Sequence, residues 1–327
     1  MPSIVEEYRI VASGAGWVDR SARGRIRFEG ADSASFLQAL LSNDVLRLTR
    51  GQGVYATYLT PQGRMIADME VLHRGDALLG IVADGTGPAL TARFDQLIFS
   101  EAVVVSDESD TWAEVAVTGG SAVDVVAEAL AAQPAALSAL TELSQIDVAG
   151  GFVVRGGDSP WPMFRIVMPA AGRDAVIRAL TSSGARPMSE VLAETLRLEA
   201  RRPQWGKDLT PEVIPLEAGL LDRAISTSKG CYVGQEIIIR ILHRGGGRVA
   251  KRLMMLVLDP AAVTPPPPGT SLVANGHVVG HVTSAVFSPA QDRVVAMAYV
   301  HRDSAEPGTA LTVDSSGVSA VVAASAA

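Results

Sequence analysis

The chain has 327 residues, 48% of them hydrophobic, with a mean hydropathy of +0.24, enough apolar material for two or three cores in a globular protein. A formal charge of -7 and a pI near 5.3 exclude a surface adapted overall to nucleic acid, leaving room for a local basic patch that takes phosphate or carboxylate groups. The single cysteine excludes an internal disulfide, and since a protein-bound iron-sulfur cluster normally takes four thiolates, Cys231 cannot hold one unaided.

Residues 1–16 carry Glu6 and Glu7 and no apolar leader core, and no run reaches the ~18 apolar residues of a membrane helix, so a cytoplasmic protein with no membrane partner is expected. Ala31-Asp32-Ser33 supplies N-cap candidates for a helix through Phe36, Leu37, Leu40 and Leu41, which Ser42-Asn43-Asp44 ends. Residues 54–59, 65–72 and 77–82 read as strands of an antiparallel meander, turning at Thr60-Pro61-Gln62-Gly63 and His73-Arg74-Gly75-Asp76. Helical segments near 123–132 and 174–180 alternate with strands near 114–117 and 164–168, a pattern of split βαβ units of the ferredoxin-like kind. The first 247 residues are therefore expected to be an α+β region and 248–327 a separate domain. There, Leu253 to Leu258 is apolar throughout, Asn275-Gly276 between short apolar strands is a hairpin signal, and 294–300 and 310–313 add strands to a small antiparallel barrel. The alanine-rich 318–327 is either its closing strand or a frayed tail.

Three segments carry candidate chemistry. The helix 189–200 shows an apolar stripe of Val191, Leu192, Thr195, Leu196 and Leu198, with Glu190, Glu194, Arg197 and Arg201 on the other face. Glu199 falls at the edge of the stripe, where a carboxylate either accepts two hydrogen bonds from a flat amidine-like heterocycle or pairs with a neighbouring arginine. Lys229-Gly230-Cys231-Tyr232-Val233-Gly234-Gln235-Glu236 gathers the cysteine, two glycines, a lysine and a carboxylate. It is either a site, with Lys229 stabilising the Cys231 thiolate, or a glycine-rich turn before the apolar run 237–241 with Cys231 as a small buried hydrophobe. Finally, Arg240, Arg244, Arg248, Lys251 and Arg252 surround Gly245-Gly246-Gly247 without an acidic residue, which suits an anionic ligand tail or simply a flexible basic loop.

Other signals fail. Leu90 stands where a dinucleotide fingerprint begun at Gly85 needs glycine, and Asp208 stands where a Walker A loop has Ser or Thr. His277 and His281 in one strand would lie about 13 Å apart, too far to share an ion. No metal site is expected.

The octapeptide at 229–236 resembles the signature of the YgfZ proteins, folate-dependent relatives of the glycine-cleavage T-protein, an aminomethyltransferase, that support iron-sulfur enzymes. Phe36-Leu37-Gln38 through Asn43-Asp44-Val45, Gly53-Val54-Tyr55, Arg197-Leu198-Glu199-Ala200 and Pro215-Leu216-Glu217-Ala218-Gly219-Leu220 are similar to segments of that superfamily. The resemblance implies a GcvT-like three-domain cloverleaf, ferredoxin-like subdomains around a central folate cavity plus a C-terminal β-barrel. It implies tetrahydrofolate or a one-carbon derivative as cofactor, with Glu199 reading the pterin and Tyr55, Gly230, Gln235, Arg240 and Arg248 in the folate site, the two arginines toward the glutamate tail. Cys231 becomes a redox or transfer thiol assisted by Lys229, and iron-sulfur client or assembly proteins become the partners.

The T-protein pattern Gly-Gly-x-x-Asp-Asp, whose first aspartate assists aminomethyl transfer, is here Gly63-Arg64-Met65-Ile66-Ala67-Asp68. The catalytic position is then Ala67, and Asp68 points the other way on a strand, so loss of transferase activity is expected. The alternatives are a folate-dependent aminomethyl or other one-carbon transferase, and a non-catalytic scaffold.

Overall fold

The computed structural model describes residues 3–244 and 246–325. In chain order its elements begin with α1 (Ile4–Ser13), β1 (Gly16–Asp19), β2 (Arg23–Glu29), α2 (Ser33–Leu40), β3 (Gly53–Leu59), β4 (Met65–His73), β5 (Ala77–Asp84), α3 (Gly87–Asp95) and β6 (Val104–Asp107). There follow β7 (Trp112–Thr118), α4 (Ala122–Leu130), α5 (Pro134–Ser138), β8 (Gln145–Val148), β9 (Gly151–Arg155), β10 (Met163–Pro169), α6 (Arg173–Ser182), β11 (Arg186–Pro187) and α7 (Glu190–Glu199). The chain continues through α8 (Leu221–Ala224), α9 (Gln235–His243), β12 (Lys251–Leu258), β13 (Ser271–Ala274), β14 (His277–Ser288), β15 (Arg293–His301), β16 (Ala310–Val313) and β17 (Ser319–Ser325).

Two compact units divide these elements. The first takes residues 1–58, 67–190 and 224–233; the second takes 59–66, 191–223 and 234–327.

The first unit holds two sheets. One has the order β3-β4-β5-β2-β6, and the other β11-β1-β7-β10-β9-β8, in which β1 runs parallel to β11 and the remaining pairs are antiparallel. Val115, Val117, Phe164 and Ile166 alternate along β7 and β10 onto the face that meets Val126 of α4 and Leu180 of α6, and each buried side chain of this size contributes about 1.5–3 kcal/mol. In the first sheet Phe28 of β2 meets Phe94 of α3 edge to face at 5.3 Å, with Tyr58 of β3 on the same ring at 5.1 Å. The expected α+β character is present.

The second unit contains a closed barrel in the order β12-β15-β14-β13-β16-β17. Asn275 and Gly276, both at positive φ (51° and 78°), form the two-residue turn between β13 and β14, the geometry that Asn-Gly favours because it matches strand twist. The alanine-rich segment is the closing strand: β17 pairs with both β12 and β16, which removes the free edges a sheet of this size would expose. The apolar run 237–241 lies inside a helix, α9.

Candidate functional site

Strand β4 decides where the acidic group of the first unit points. Met65, Ala67 and Met69 share one face and are all buried, Ala67 at 4% exposure, with the Met69 sulfur packed at Gly80 beside Phe28. Position 67 thus lies on the buried face of β4 that Met65 and Met69 share. Asp68 faces the other way, and there the Tyr55 hydroxyl donates to its Oδ2 at 2.8 Å. The position that matches the T-protein's first aspartate is Ala67, as expected, and Asp68 points to the opposite side of the strand. Strand alternation holds: 67 lies on the core face of β4 and 68 on the opposite face, beside the Tyr55 hydroxyl.

Burial raises the Asp68 carboxyl above the usual carboxylate range, while the Tyr55 hydroxyl and the Arg23 guanidinium pull it down. Behind it lies a network absent from the sequence reading. Arg23 sits 3.2 Å from Glu70 and 3.3 Å from Glu114, and Arg165 sits 2.5 Å from Glu70 and 3.7 Å from Glu114. Arg25, fully buried, lies 3.6 Å from Glu114 and donates to the carbonyls of Ser21 and Arg23. These charges come from β2, β4, β7 and β10 and tie the two sheets together. Spacing i, i+2 along β2 would have read as an exposed polar face.

The octapeptide is held by its lysine. Lys229, 9% exposed, donates from Nζ to the carbonyls of Gln38 (2.6 Å), Leu41 (2.5 Å) and Asn43 (3.0 Å), the unsatisfied end of α2 and the turn after it. Its ammonium also lies 5.1 Å from the Tyr232 ring centroid, and burial pushes it down to about 8 although Asp44 pulls it up. All three N–H donors are therefore spent on carbonyls. Through these bonds Lys229 closes the α2 turn and pins the segment that carries Cys231.

Cys231 itself is exposed rather than buried, as is Gly230. Asn43 also donates from Nδ2 to the Tyr55 carbonyl at 2.8 Å, so Tyr55 and Lys229 are linked through one residue. Gly234 begins α9 at φ 83°, where a Cβ would fall 2.5 Å from the Thr60 carbonyl oxygen, a close approach that requires glycine. Gln235 is the first residue of α9 and partly buried, and Arg240 and Arg248 are exposed.

In the second unit Glu199 ends α7, and its Oε1 accepts a hydrogen bond from the Ser288 hydroxyl at 2.6 Å. Arg197, expected on the solvent face of that helix, is 7% exposed. It donates to Asp208 Oδ2 at 2.7 Å, Glu194 Oε1 at 2.6 Å and the Ser284 hydroxyl at 3.0 Å. Asp208, fully buried, also accepts from Thr283 (2.5 Å), Ser284 (2.7 Å) and the Gln204 amide (3.1 Å). Ser284 of β14 reaches Arg197 on the second face of α7, a contact that helical periodicity alone does not reveal, while Val191 of the expected apolar stripe is exposed. Of the expected site residues, Tyr55, Lys229, Gly230 and Cys231 belong to the first unit and Glu199, Gln235, Arg240 and Arg248 to the second.

Residues 1–229 match the GCVT N-terminal domain, and residues 251–326 match the glycine cleavage T-protein C-terminal barrel domain. Among curated relatives, an aminomethyltransferase of Saccharopolyspora erythraea is 31% identical over 332 residues, covering 97% of this chain and 87% of its own. Another, from Rubrobacter xylanophilus, is 30% identical over 298 residues, covering 91% and 79%. Among solved structures, the glycine cleavage system aminomethyltransferase T of Bartonella henselae superimposes with a TM-score of 0.88 at 23% identity, covering 98% of this chain and 88% of that one, which shows the same fold. This chain belongs to the glycine-cleavage T-protein family.

Proposed function

We propose that the chain is a cytoplasmic, tetrahydrofolate-dependent one-carbon transferase of the aminomethyltransferase kind. The observation that carries this is Asp68, an acidic group with its acidity lowered by burial, oriented by the Tyr55 hydroxyl and backed by the Arg23–Glu70 pair. A carboxyl so placed can hold or move a proton at an amine nitrogen, which is what transfer of an aminomethyl carbon demands. Tetrahydrofolate, the cofactor of relatives with this name, supplies the nitrogens that take up the one-carbon unit. Within the second unit, the Glu199 carboxyl, whose Oε1 accepts from Ser288, is the group suited to the 2-amino and ring N–H groups of a pterin. Gln235, Arg240 and Arg248 are the groups offered to the remainder of the folate.

A second reading rests on Cys231. An exposed thiol on a segment that Lys229 anchors, within an octapeptide resembling the YgfZ signature, suits support of iron-sulfur client proteins in place of, or beside, transfer.

Calorimetric titration with tetrahydrofolate, Glu199→Gln alongside, tests the shared premise: one saturable site that weakens strongly in the variant is expected, and no binding by the wild type overturns both readings. Formation of methylene-tetrahydrofolate from amine donors, lost in Asp68→Asn and kept in Cys231→Ser, is the transferase outcome. Folate binding without turnover, with client iron-sulfur activity lost in Cys231→Ser, is the other.

A further inference from the structure

A cavity of about 670 Å3 opens in the second unit, away from Glu199 in sequence and made by the 62–64 turn, the 212–217 segment and the outer face of β12, β14 and β15. Four charged side chains line it, the cations Arg64 and Lys251 and the carboxylates Glu212 and Glu217. The Arg64 guanidinium donates to the Glu212 carbonyl, and the Lys251 ammonium rests 4.7 Å over the Tyr299 ring. The Glu217 carboxylate accepts one long bond, 3.3 Å, from the Ile214 amide. Among the described residues none of these four has an ion-pair partner within 4.0 Å. Burial raises the Glu217 carboxyl, while the Ile214 amide and, through space, Lys251 and Arg64 pull it down.

The rest of the lining mixes the polar Gln62, His281 and His301 with an apolar rim. Val278 keeps 67% of its surface exposed at the rim, beside Val279 and Ile214. At Gly280 a Cβ would come within 2.2 Å of the Tyr299 carbonyl oxygen, so β14 approaches β15 there too closely for a side chain, and the His281 and Tyr299 rings lie 6.0 Å apart beside it.

We propose that this cavity binds a small organic zwitterion, an α-amino acid or dipeptide with an apolar side chain. Its carboxylate goes to Arg64 and Lys251, its ammonium to Glu217, and its side chain covers Val278 and Val279. A simple anion would meet Glu212 and Glu217 unfavourably and a simple amine would meet the two cations, whereas a zwitterion satisfies both signs. The site is independent of the folate reading.

Glycyl-L-leucine is titrated into the purified full chain by calorimetry, beside 4-methylpentanoate and 3-methylbutylamine, which carry one charge each. The dipeptide is expected to saturate one site and to bind about tenfold or more tighter than either analogue. Lys251→Ala and Glu217→Gln are each expected to weaken it about fivefold or more at an unchanged melting temperature, and two variants guard against one failing to fold. Equal binding of 4-methylpentanoate, no saturable binding of the dipeptide at millimolar concentration, or wild-type affinity in both variants overturns the proposal.

Discussion

Replacing Lys229 with methionine keeps the apolar stem and removes the ammonium, which separates the two roles this residue can have. Three hydrogen bonds are lost, to the carbonyls of Gln38, Leu41 and Asn43. Bonds from a charged donor are worth about 1.5–3 kcal/mol each. Dehydrating the ammonium costs several kcal/mol in the wild type and is recovered in the variant, which leaves a net loss of about 3 kcal/mol. Urea denaturation at pH 7 measures it, with the slope unchanged and the midpoint lowered. Alkylation of Cys231 by iodoacetamide, run on the same samples under native conditions, should keep its rate, because the lysine directs its N–H groups at carbonyls. The pH dependence adds a signed check. The folded-state value of about 8 lies below the ordinary 10.5, so the unfolded chain binds more protons between those limits and wild-type stability rises with pH across that window; in Lys229→Met that rise is absent. A stability loss under about 1 kcal/mol together with a tenfold slower alkylation would refute the docking role and leave Lys229 as activator of the thiol.

Asp68→Asn should trade activity for stability. Its carboxyl is raised by burial, so the charged form costs the native state stability that is present at low pH and lost as pH rises through the folded value. The variant is therefore expected to melt higher than wild type at pH 7, the gap closing toward the ordinary carboxylate range, while folate-dependent turnover falls about a hundredfold or more; an unchanged rate would remove Asp68 from the chemistry. Arg197→Met leaves Asp208 buried with hydroxyl and amide partners alone and should cost about 3–5 kcal/mol by thermal or urea unfolding, with Asp208→Asn in the same chain recovering part of it. Additive losses in the double variant would show that the two residues do not act as a pair.

Much of the molecule follows from local pattern. The barrel was legible because Asn275-Gly276 specifies its turn and the apolar runs flanking Arg293 and Lys251 match strand lengths. The helix carrying Phe36 and Leu37 follows from spacing, and the family follows from short segments whose residue types are unusual in combination. Alternation likewise established from sequence that positions 67 and 68 point to opposite sides of β4. It could not say which side is core, since that depends on Gly80 and Phe28, which strands β5 and β2 bring from elsewhere in the chain. Lys229 reads from spacing as a partner for a thiol two residues away; its carbonyl acceptors lie 186 to 191 residues distant. Arg197 looked exposed until β14 covered it, and Arg23, Arg25 and Arg165 become one network with Glu70 and Glu114 only when four strands converge. Local sequence determines which residues share a face, because backbone geometry has a fixed period; the tertiary structure decides which face meets what, because that is set by contacts between segments far apart in the chain.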